Sequence, residues 1–231
     1  MRLVRAAFHA ELTELIADLA RIVRLVGNMM NNASIALHQS DRLLAARVIA
    51  QRGKTQEILD DIGRRCVTLL ALQAPVARDL RVVVAALHAV GHLERMATLA
   101  RHIAVIARLK RPNLMISGKV RPVLARMSLL ASQLAEDAAA AIERQDPLSG
   151  DWLAVMDREV DALHRRLIEI LFAEDWSHGV EPAVDAALVG RYYERFADHA
   201  VAIARQMQYL TTGRVPQFIS AETASAASRS S

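Results

Sequence analysis

The chain has 231 residues, of which 53% are hydrophobic, and a formal net charge of +4. Its 9 glycines, 6 prolines and 4% aromatic residues are too few for a β-sandwich or β-barrel, and its apolar content argues against a disordered chain.

The single cysteine, Cys66, excludes an internal disulfide framework and favours a reducing compartment, so we expect a cytoplasmic protein. No basic block is interleaved with aromatic residues, so we expect no nucleic-acid partner. The longest apolar run, residues 82–90, is far shorter than the roughly 20 residues of a transmembrane helix.

Apolar residues recur every three or four positions over most of the chain, which is the pattern of amphipathic helices. Asp41 is placed to cap the second helix, and Gln73-Ala74-Pro75 breaks the chain before the third. The residues from 214 onward are rich in Ser and Ala and are expected to form a disordered tail. The pattern predicts a first helix that includes residues 8–33, and five more over about 41–72, 76–110, 122–145, 148–175 and 181–212.

The two halves of the chain resemble each other. The segments Leu93-Glu94-Arg95-Met96-Ala97 and Tyr193-Glu194-Arg195-Phe196-Ala197 lie 100 residues apart, each in the third helix of its half. An internal duplication explains this similarity. We therefore predict an all-α fold of two tandem antiparallel three-helix bundles, over residues 1–112 and 113–213, followed by the tail 214–231.

Four acidic residues in the second half are spaced to meet. Asp157 and Asp161 share one face of the fifth helix, and Glu194 and Asp198 share one face of the sixth. Both cross-helix pairs, 161 with 194 and 157 with 198, are centred on the same point of the turn Trp176–Gly179. Closing the hairpin should therefore gather four carboxylates, which repel one another unless protons, basic residues or cations neutralise them.

Two interpretations of these acids remain open. Carboxylate oxygens at this density suit a divalent or trivalent metal such as Fe, Mn, Mg or Zn, so Asp157, Asp161, Glu194 and Asp198 are the predicted ligands. Alternatively, the acids are solvated and some pair with Arg158, Arg165 or Arg195.

The mirrored positions of the first half hold different residues: Gln56 lies opposite Glu94, and Arg52 lies opposite Thr98. Only Glu94 is acidic, so we expect the first bundle to be metal-free, with Arg52 taking the place of a cation beside Glu94.

Other candidate chemistry is sparse. Cys66 lies in a helical apolar pattern and is expected to be a core thiol. His88, His92 and His102 lack the His-Glu-x-x-His pattern of a zinc helix, so packing or surface roles are expected.

Several motifs together resemble the PhoU family, the accessory proteins of the phosphate-specific transport system. The resemblance covers about residues 1–213, and the turn Trp176-Ser177-His178-Gly179 is most similar to the actinobacterial, mycobacterial-type branch. The motifs that carry it are Phe8-His9-x-Glu11-Leu12, Arg78-Asp79-Leu80-Arg81, Leu93-Glu94-Arg95 and Tyr193-Glu194-Arg195-Phe196-Ala197-Asp198-His199-Ala200.

The resemblance implies tandem three-helix bundles, a homodimer, and metal sites built from Glu/Asp-x-x-x-Asp motifs, here Asp157, Asp161, Glu194 and Asp198. It also implies a negative regulator of the phosphate-starvation response. Such a protein links the ATPase of the phosphate ABC transporter, PstB, to the sensor histidine kinase PhoR. It restrains phosphate uptake when phosphate is plentiful, and it meets the membrane only through its partners.

A non-enzymatic adaptor is therefore the expected function. The alternative is a helical-bundle metalloprotein with metal storage or redox activity. Di-iron bundles use Glu-x-x-His motifs, but Ala97 and Ala197 stand three residues after Glu94 and Glu194, which disfavours an oxidase.

Overall fold

The computed structural model describes residues 2–109, 118–146 and 149–212. These residues are helical almost throughout, which confirms the predicted all-α class. The helices are α1 (Arg2–Gln39), α2 (Arg42–Ala50), α3 (Arg52–Gln73), α4 (Ala77–Leu109), α5 (Val120–Arg144), α6 (Ser149–Leu171) and α7 (Val180–Thr212).

The second predicted helix is divided into α2 and α3. Asp41 caps α2 as predicted, since its carboxylate accepts from the backbone N–H groups of Leu43 and Leu44 at 3.0 and 2.9 Å. Gln51 separates the two helices but keeps a right-handed helical conformation, and its N–H donates to Arg47 at 3.2 Å. Helices α2 and α3 therefore follow each other through a residue of helical conformation, and the described residues form six rods in all.

The two hairpin turns end their helices by different means. After α3, Ala74 adopts a left-handed conformation (φ 41°, ψ 55°) and Pro75 follows. The fifth predicted helix, α6, stops at Leu171 rather than near Asp175. Its turn is closed by the Trp176 indole, which donates to the carbonyl of Gly179 at 2.8 Å, and Gly179 supplies the positive φ of 86° that the turn requires. The predicted helix end and connection over residues 110–117, the boundary 112/113, Gly213 and the tail 214–231 lie outside the described residues.

Four of the rods form a closed ring. Helix α1 packs against α4 and α5, and α7 packs against the same two helices, so each member contacts two neighbours. Helices α2 and α3 cover the ring on the side of α1 and α4, and α6 covers it on the side of α5 and α7. The two predicted bundles therefore lie side by side and share one core.

The ring helices from different bundles run antiparallel. His92 of α4 contacts His199 of α7, and His102 of α4 packs against Tyr192 of α7. Residues later in α4 therefore contact residues earlier in α7, so the two helices run in opposite directions. Arg81, near the start of α4, donates to the carbonyl of Leu210 near the end of α7 at 3.2 Å. The α3–α4 and α6–α7 turns therefore lie at opposite ends of the molecule.

The core is built mainly from Ala, Leu, Val and Ile, and a buried pair of hydroxyl groups joins two of its helices. The Tyr193 hydroxyl of α7 donates to the Ser34 hydroxyl of α1 at 2.9 Å, and Ser34 in turn donates to a carbonyl of its own helix at 2.8 Å. Cys66 is fully buried, and burial raises the pKa of its thiol to about 11, which confirms a core thiol.

Helix α4 is the described helix that is long and apolar enough to cross a membrane, with a mean hydropathy of 1.2 over its most apolar window. It contacts α1, α2, α3 and α7. Core helices of globular proteins pass the same test of length and composition.

The contact between α1 and α5 depends on a missing side chain. A methyl group at Gly27 would lie 2.8 Å from the Cβ of Ala135, closer than two such carbons approach. The two backbones are therefore near enough only because residue 27 is glycine. Gly91 on α4 differs, because a Cβ there would meet nothing within 4 Å.

We expect Gly27→Ala to lower the free energy of unfolding by about 1–3 kcal/mol, because Ala135 must move away from the new methyl group. The matched change Gly91→Ala should raise that free energy by about 0.5–1 kcal/mol, since it only improves helix propensity. Urea denaturation of both variants measures the difference. Equal stabilisation by the two substitutions would contradict the close approach of α1 and α5.

Candidate metal centre

The α6–α7 hairpin carries the four predicted acids on facing sides of its two helices. Their neighbours in sequence fix this orientation: Val160 on α6 and Tyr193 on α7 are fully buried in the core. Successive helical residues point about 100° apart. The apolar neighbours therefore turn Asp157 and Asp161, and Glu194 and Asp198, toward the partly exposed groove between the helices.

Electrostatic coupling shows that the four carboxylates share one neighbourhood. Burial, together with the charges of Asp198, Asp161 and Glu194, raises the pKa of Asp157 to about 7 against the charge of Arg205, which lowers it. Burial also raises the pKa values of Glu194 and Asp198, the charge of Asp161 raises both, and the charge of Asp198 raises the pKa of Glu194 as well. The charges of Asp161, Glu194 and Asp198 therefore act on Asp157, as expected for residues on facing sides of one hairpin.

Arginines one turn earlier on α7 hold two of the acids. Arg191 donates to both oxygens of Glu194 at 2.5 Å, and Arg195 donates to Asp198 at 2.9 Å. These pairs lower the pKa of each carboxyl against the effect of burial. Of the three arginines considered from the sequence, only Arg195 forms such a pair among the described residues. Arg191 was missed, although the spacing Arg-x-x-Glu/Asp occurs twice in this stretch of α7.

One carboxylate oxygen of Asp157, Oδ1, is buried and has no hydrogen-bond partner. A buried carboxylate oxygen without a partner is costly, and either a proton or a cation removes that cost. Hard and borderline metal ions bind oxygen ligands, and the four acids offer only oxygen atoms. The residues present therefore fit a cation in donor type and in electrostatic need.

Within the described ranges, no three His, Cys, Asp or Glu side chains are grouped so as to hold one ion. The arginine pairs give a physical reason, because they draw Glu194 and Asp198 along α7 toward Arg191 and Arg195. Metal binding would require these two carboxylates to exchange an arginine for the ion.

The first half differs at the mirrored positions. Gln56 of α3 donates to the Glu94 carboxylate of α4 at 3.0 Å, so the two mirrored residues do meet across the hairpin. The Thr98 hydroxyl bonds to a carbonyl of its own helix at 2.8 Å. No ion pair joins Arg52 to Glu94 in the part of the chain that the structure describes; instead the charge of Arg52 acts on His102. The expected Arg52–Glu94 pairing is therefore not formed.

The histidines of α4 have packing or surface roles, as predicted. His92 meets His199 of α7 with their Nδ1 atoms 3.0 Å apart, and His102 packs on the ring of Tyr192 with centroids separated by 5.2 Å. His88 is exposed. Burial and the neighbouring His92 lower the pKa of His199 to about 4, so this pair is neutral at physiological pH.

Comparison with known proteins gives the same pattern of two halves. The family model described as "PhoU domain" matches residues 19–107 and, separately, residues 124–207. The chain belongs to the PhoU family. Relatives named phosphate-specific transport system accessory protein PhoU homolog include homolog 2 of Mycobacterium tuberculosis, which is 39% identical over 92% of this chain and 100% of its own length. Homolog 1 of Mycobacterium leprae is 38% identical over 93% of this chain and 96% of its own length.

Solved PhoU structures share the fold. The crystal structure of PhoU from Pseudomonas aeruginosa superposes with a TM-score of 0.81 at 26% identity, covering 90% of this chain and 100% of that one. The resemblance to PhoU, including its mycobacterial relatives, is thereby confirmed. The relatives are named accessory proteins rather than enzymes.

The Asp157 carboxyl makes the stability of the metal-free protein depend on pH. Its pKa is about 7 in the folded chain against an ordinary value of 3.8, so the folded state holds a proton that the unfolded state has lost. Stability therefore falls as the pH rises from about 4 to above 7.

We expect Asp157→Asn to stabilise the EDTA-dialysed protein by about 2 kcal/mol near pH 8, and by much less near pH 4. This value is smaller than the free energy that corresponds to the full pKa shift, because solvent screens the partly exposed Asp157 carboxyl. Thermal melts across the pH range measure the effect, with Glu174→Gln as a control on an exposed acid. A pH-independent effect of Asp157→Asn would show that this carboxyl is ionised throughout.

Proposed function

We propose that this protein is a negative regulator of the phosphate-starvation response. In this proposal it acts without catalysis in the cytoplasm, as a homodimer. It links the ATPase of the phosphate ABC transporter, of the PstB type, to a sensor histidine kinase of the PhoR type. It restrains phosphate uptake when phosphate is plentiful, and it reaches the membrane only through these partners.

The observation that carries the proposal is the match of both halves to the PhoU domain, together with near-full-length relatives named as accessory proteins of phosphate-specific transport. Because the match spans both bundles, the proposal concerns the whole ring and not an isolated module.

The ends of the bundle support an adaptor. Phe172 and Val180 flank the α6–α7 turn and are 85% and 79% exposed, and Leu72 and Val76 at the α3–α4 turn are each 74% exposed. Large apolar side chains exposed together are typical of protein interaction sites. Since the two turns lie at opposite ends, one copy can contact two partners at once.

The carboxylates of the second bundle would hold a divalent or trivalent cation, Fe, Mn, Mg or Zn, through Asp157, Asp161, Glu194 and Asp198. When bound, the cation would neutralise their repulsion and stabilise the folded hairpin by mass action. The unpaired Oδ1 of Asp157 supports this proposal. In the first bundle Gln56 occupies the carboxylate of Glu94, and we propose that this bundle works without metal.

The regulatory role predicts a phenotype. Deleting the gene should derepress phosphate-scavenging genes in phosphate-rich medium, because the kinase is no longer restrained. Reporter expression measures this, with the wild-type gene restored as the control. Normal repression in the deletion strain would argue for a protein that only buffers metal.

The adaptor role also predicts partner capture. The purified protein should retain the transporter ATPase, and Phe172→Ser should weaken that binding by roughly tenfold or more if the α6–α7 turn is a contact centre. Leu129→Ser, at a 58% exposed position on α5, is the matched control. Recovery of neither the ATPase nor the kinase would count against the adaptor.

The cation site predicts a loss of metal. Asp157→Asn/Asp161→Asn should retain no metal after loading and gel filtration, whereas Asp60→Asn/Asp61→Asn on exposed positions of α3 should retain the wild-type amount. Elemental analysis by mass spectrometry gives both values. Wild-type metal content in the first double variant would remove these ligands from the proposal.

A further inference from the structure

The edge of the ring between α4 and α7 has no covering helix. Helices α2 and α3 lie over the α1–α4 edge and α6 lies over the α5–α7 edge, but no helix within the described ranges lies over α4 and α7 from outside the ring. Both helices have 33 residues, and their contacts extend from Arg81 with Leu210 to His102 with Tyr192. A long groove therefore runs along the outer surface between them.

One half of this groove is apolar and exposed. On α7, Val184 and Leu188 are 51% and 41% exposed. They lie about two turns and one turn before Tyr192, which contacts His102 of α4. The antiparallel register continued from that contact places Leu109 of α4, which is 65% exposed, opposite this segment of α7. Two partly buried side chains of α4 complete the apolar half, Leu99 and Ile106.

The other half of the groove is basic. Arg95 of α4 and Arg195 of α7 are exposed and occupy the same position in the repeated Glu-Arg motif. The pKa of His199 is lowered chiefly by burial, and the charges of Arg195 and Arg95 lower it too, so cations from both helices act on one point. Arg195 donates to Asp198 at 2.9 Å, whereas Arg95 forms no hydrogen bond or ion pair within the described residues. This half therefore has a positive charge that no described acid neutralises.

The α1–α5 edge is also uncovered, but its chemistry differs. There Arg24 of α1 donates to Glu136 and to Glu143 of α5, at 2.8 Å in each case, so its charge is compensated within the chain. The side chains around Arg24 are mostly amides, hydroxyls and acids. The α4–α7 edge, by contrast, combines a run of exposed apolar side chains with an unpaired arginine.

We propose that the α4–α7 groove binds an amphipathic helix of another protein, with apolar residues over its apolar half and an Asp or Glu beside Arg95. Amphipathic helices bind to partners by laying their apolar face into such grooves, and complementary charges fix the register. The stretch from Arg95 to Leu109 is roughly 20 Å long at 1.5 Å per residue, which suits a helix of about four turns. Glu181 and Asp185 of α7 lie toward the apolar end, where they would repel acids of the bound helix.

This groove lies between the two turns considered under Proposed function, and that function assigns it no role. Within the chain, α6 already covers the neighbouring α5–α7 edge as a helix of 23 residues. A bound helix over α4 and α7 would cover the ring in the same way. The inference concerns the chemistry of the occupant and does not depend on which protein supplies it.

The test begins with the full chain in its native cells, with the photocrosslinking residue p-benzoylphenylalanine in place of Val184. We expect a crosslink to one segment of another protein. Mass spectrometry should identify a segment with apolar residues every three or four positions and an acid toward one end. No crosslink, or a crosslink only to a second copy or to the same chain, would overturn the inference. A crosslinked segment that lacks the apolar period or the acid would do so too.

The identified segment is then used as a labelled synthetic peptide, and its binding to the purified full chain is measured by fluorescence anisotropy. Arg95→Glu and Leu188→Asp should each weaken binding by about tenfold or more. The matched controls Arg47→Glu and Leu129→Asp, at exposed positions of α2 and α5, should bind like the wild type. Equal binding by Arg95→Glu and the wild type would overturn the inference.

A charge exchange separates a direct contact from a loss of structure. A peptide with Lys in place of its acid should bind Arg95→Glu more tightly than it binds the wild type, and the reverse order would contradict the proposed register. Circular dichroism checks that each variant is folded, and Leu188→Ser replaces Leu188→Asp if the latter is not. A segment of the expected chemistry from a protein other than the transporter ATPase or the kinase would support the groove and count against those partners, so the two proposals can fail separately.

Discussion

The close approach of four long helices around one core is the constraint on which the rest of the molecule depends. Such helices reach one another only where the side chains between them are small. Alanines line the ring on α4, α5 and α7, and at Gly27 even a methyl group would be too large. Because each ring helix contacts two others, a shift in one crossing must displace its neighbours. The ring thereby fixes α7, and α7 fixes two of the four carboxylates.

The four acids lie on a hairpin that is held by this rigid frame, and the folded state disfavours several of their negative charges. Burial raises the pKa of Asp157, Glu194 and Asp198, which means that the folded chain disfavours their charges. Arg191 and Arg195 offset part of the cost from the same helix, but Oδ1 of Asp157 keeps no partner. Arginines and protons therefore neutralise the same small region, which couples the charge of the hairpin to pH.

The two similar bundles differ in the pair of residues that meet across each hairpin. Gln56 and Glu94 meet across the first hairpin, much as Asp161 and Glu194 face each other across the second. An amide in place of one carboxylate replaces repulsion by a hydrogen bond. Likeness of the helix scaffold therefore does not imply likeness of the two sites, because the mirrored positions of the second hairpin hold four acids where those of the first hold Glu94 alone.

The sequence by itself determined the helical class, the six rods, the cap at Asp41 and the neighbourhood of the four acids. These follow from local periodicity, capping chemistry and the symmetry of a hairpin about its turn, all of which involve residues on one or two adjacent helices. Only the tertiary structure decided that the bundles share a closed ring, that His92 meets His199, that arginines hold Glu194 and Asp198, and that His164 lies against Gly190. Those features depend on which helix faces meet and on side-chain rotamers, and the spacing of residues along the chain encodes neither.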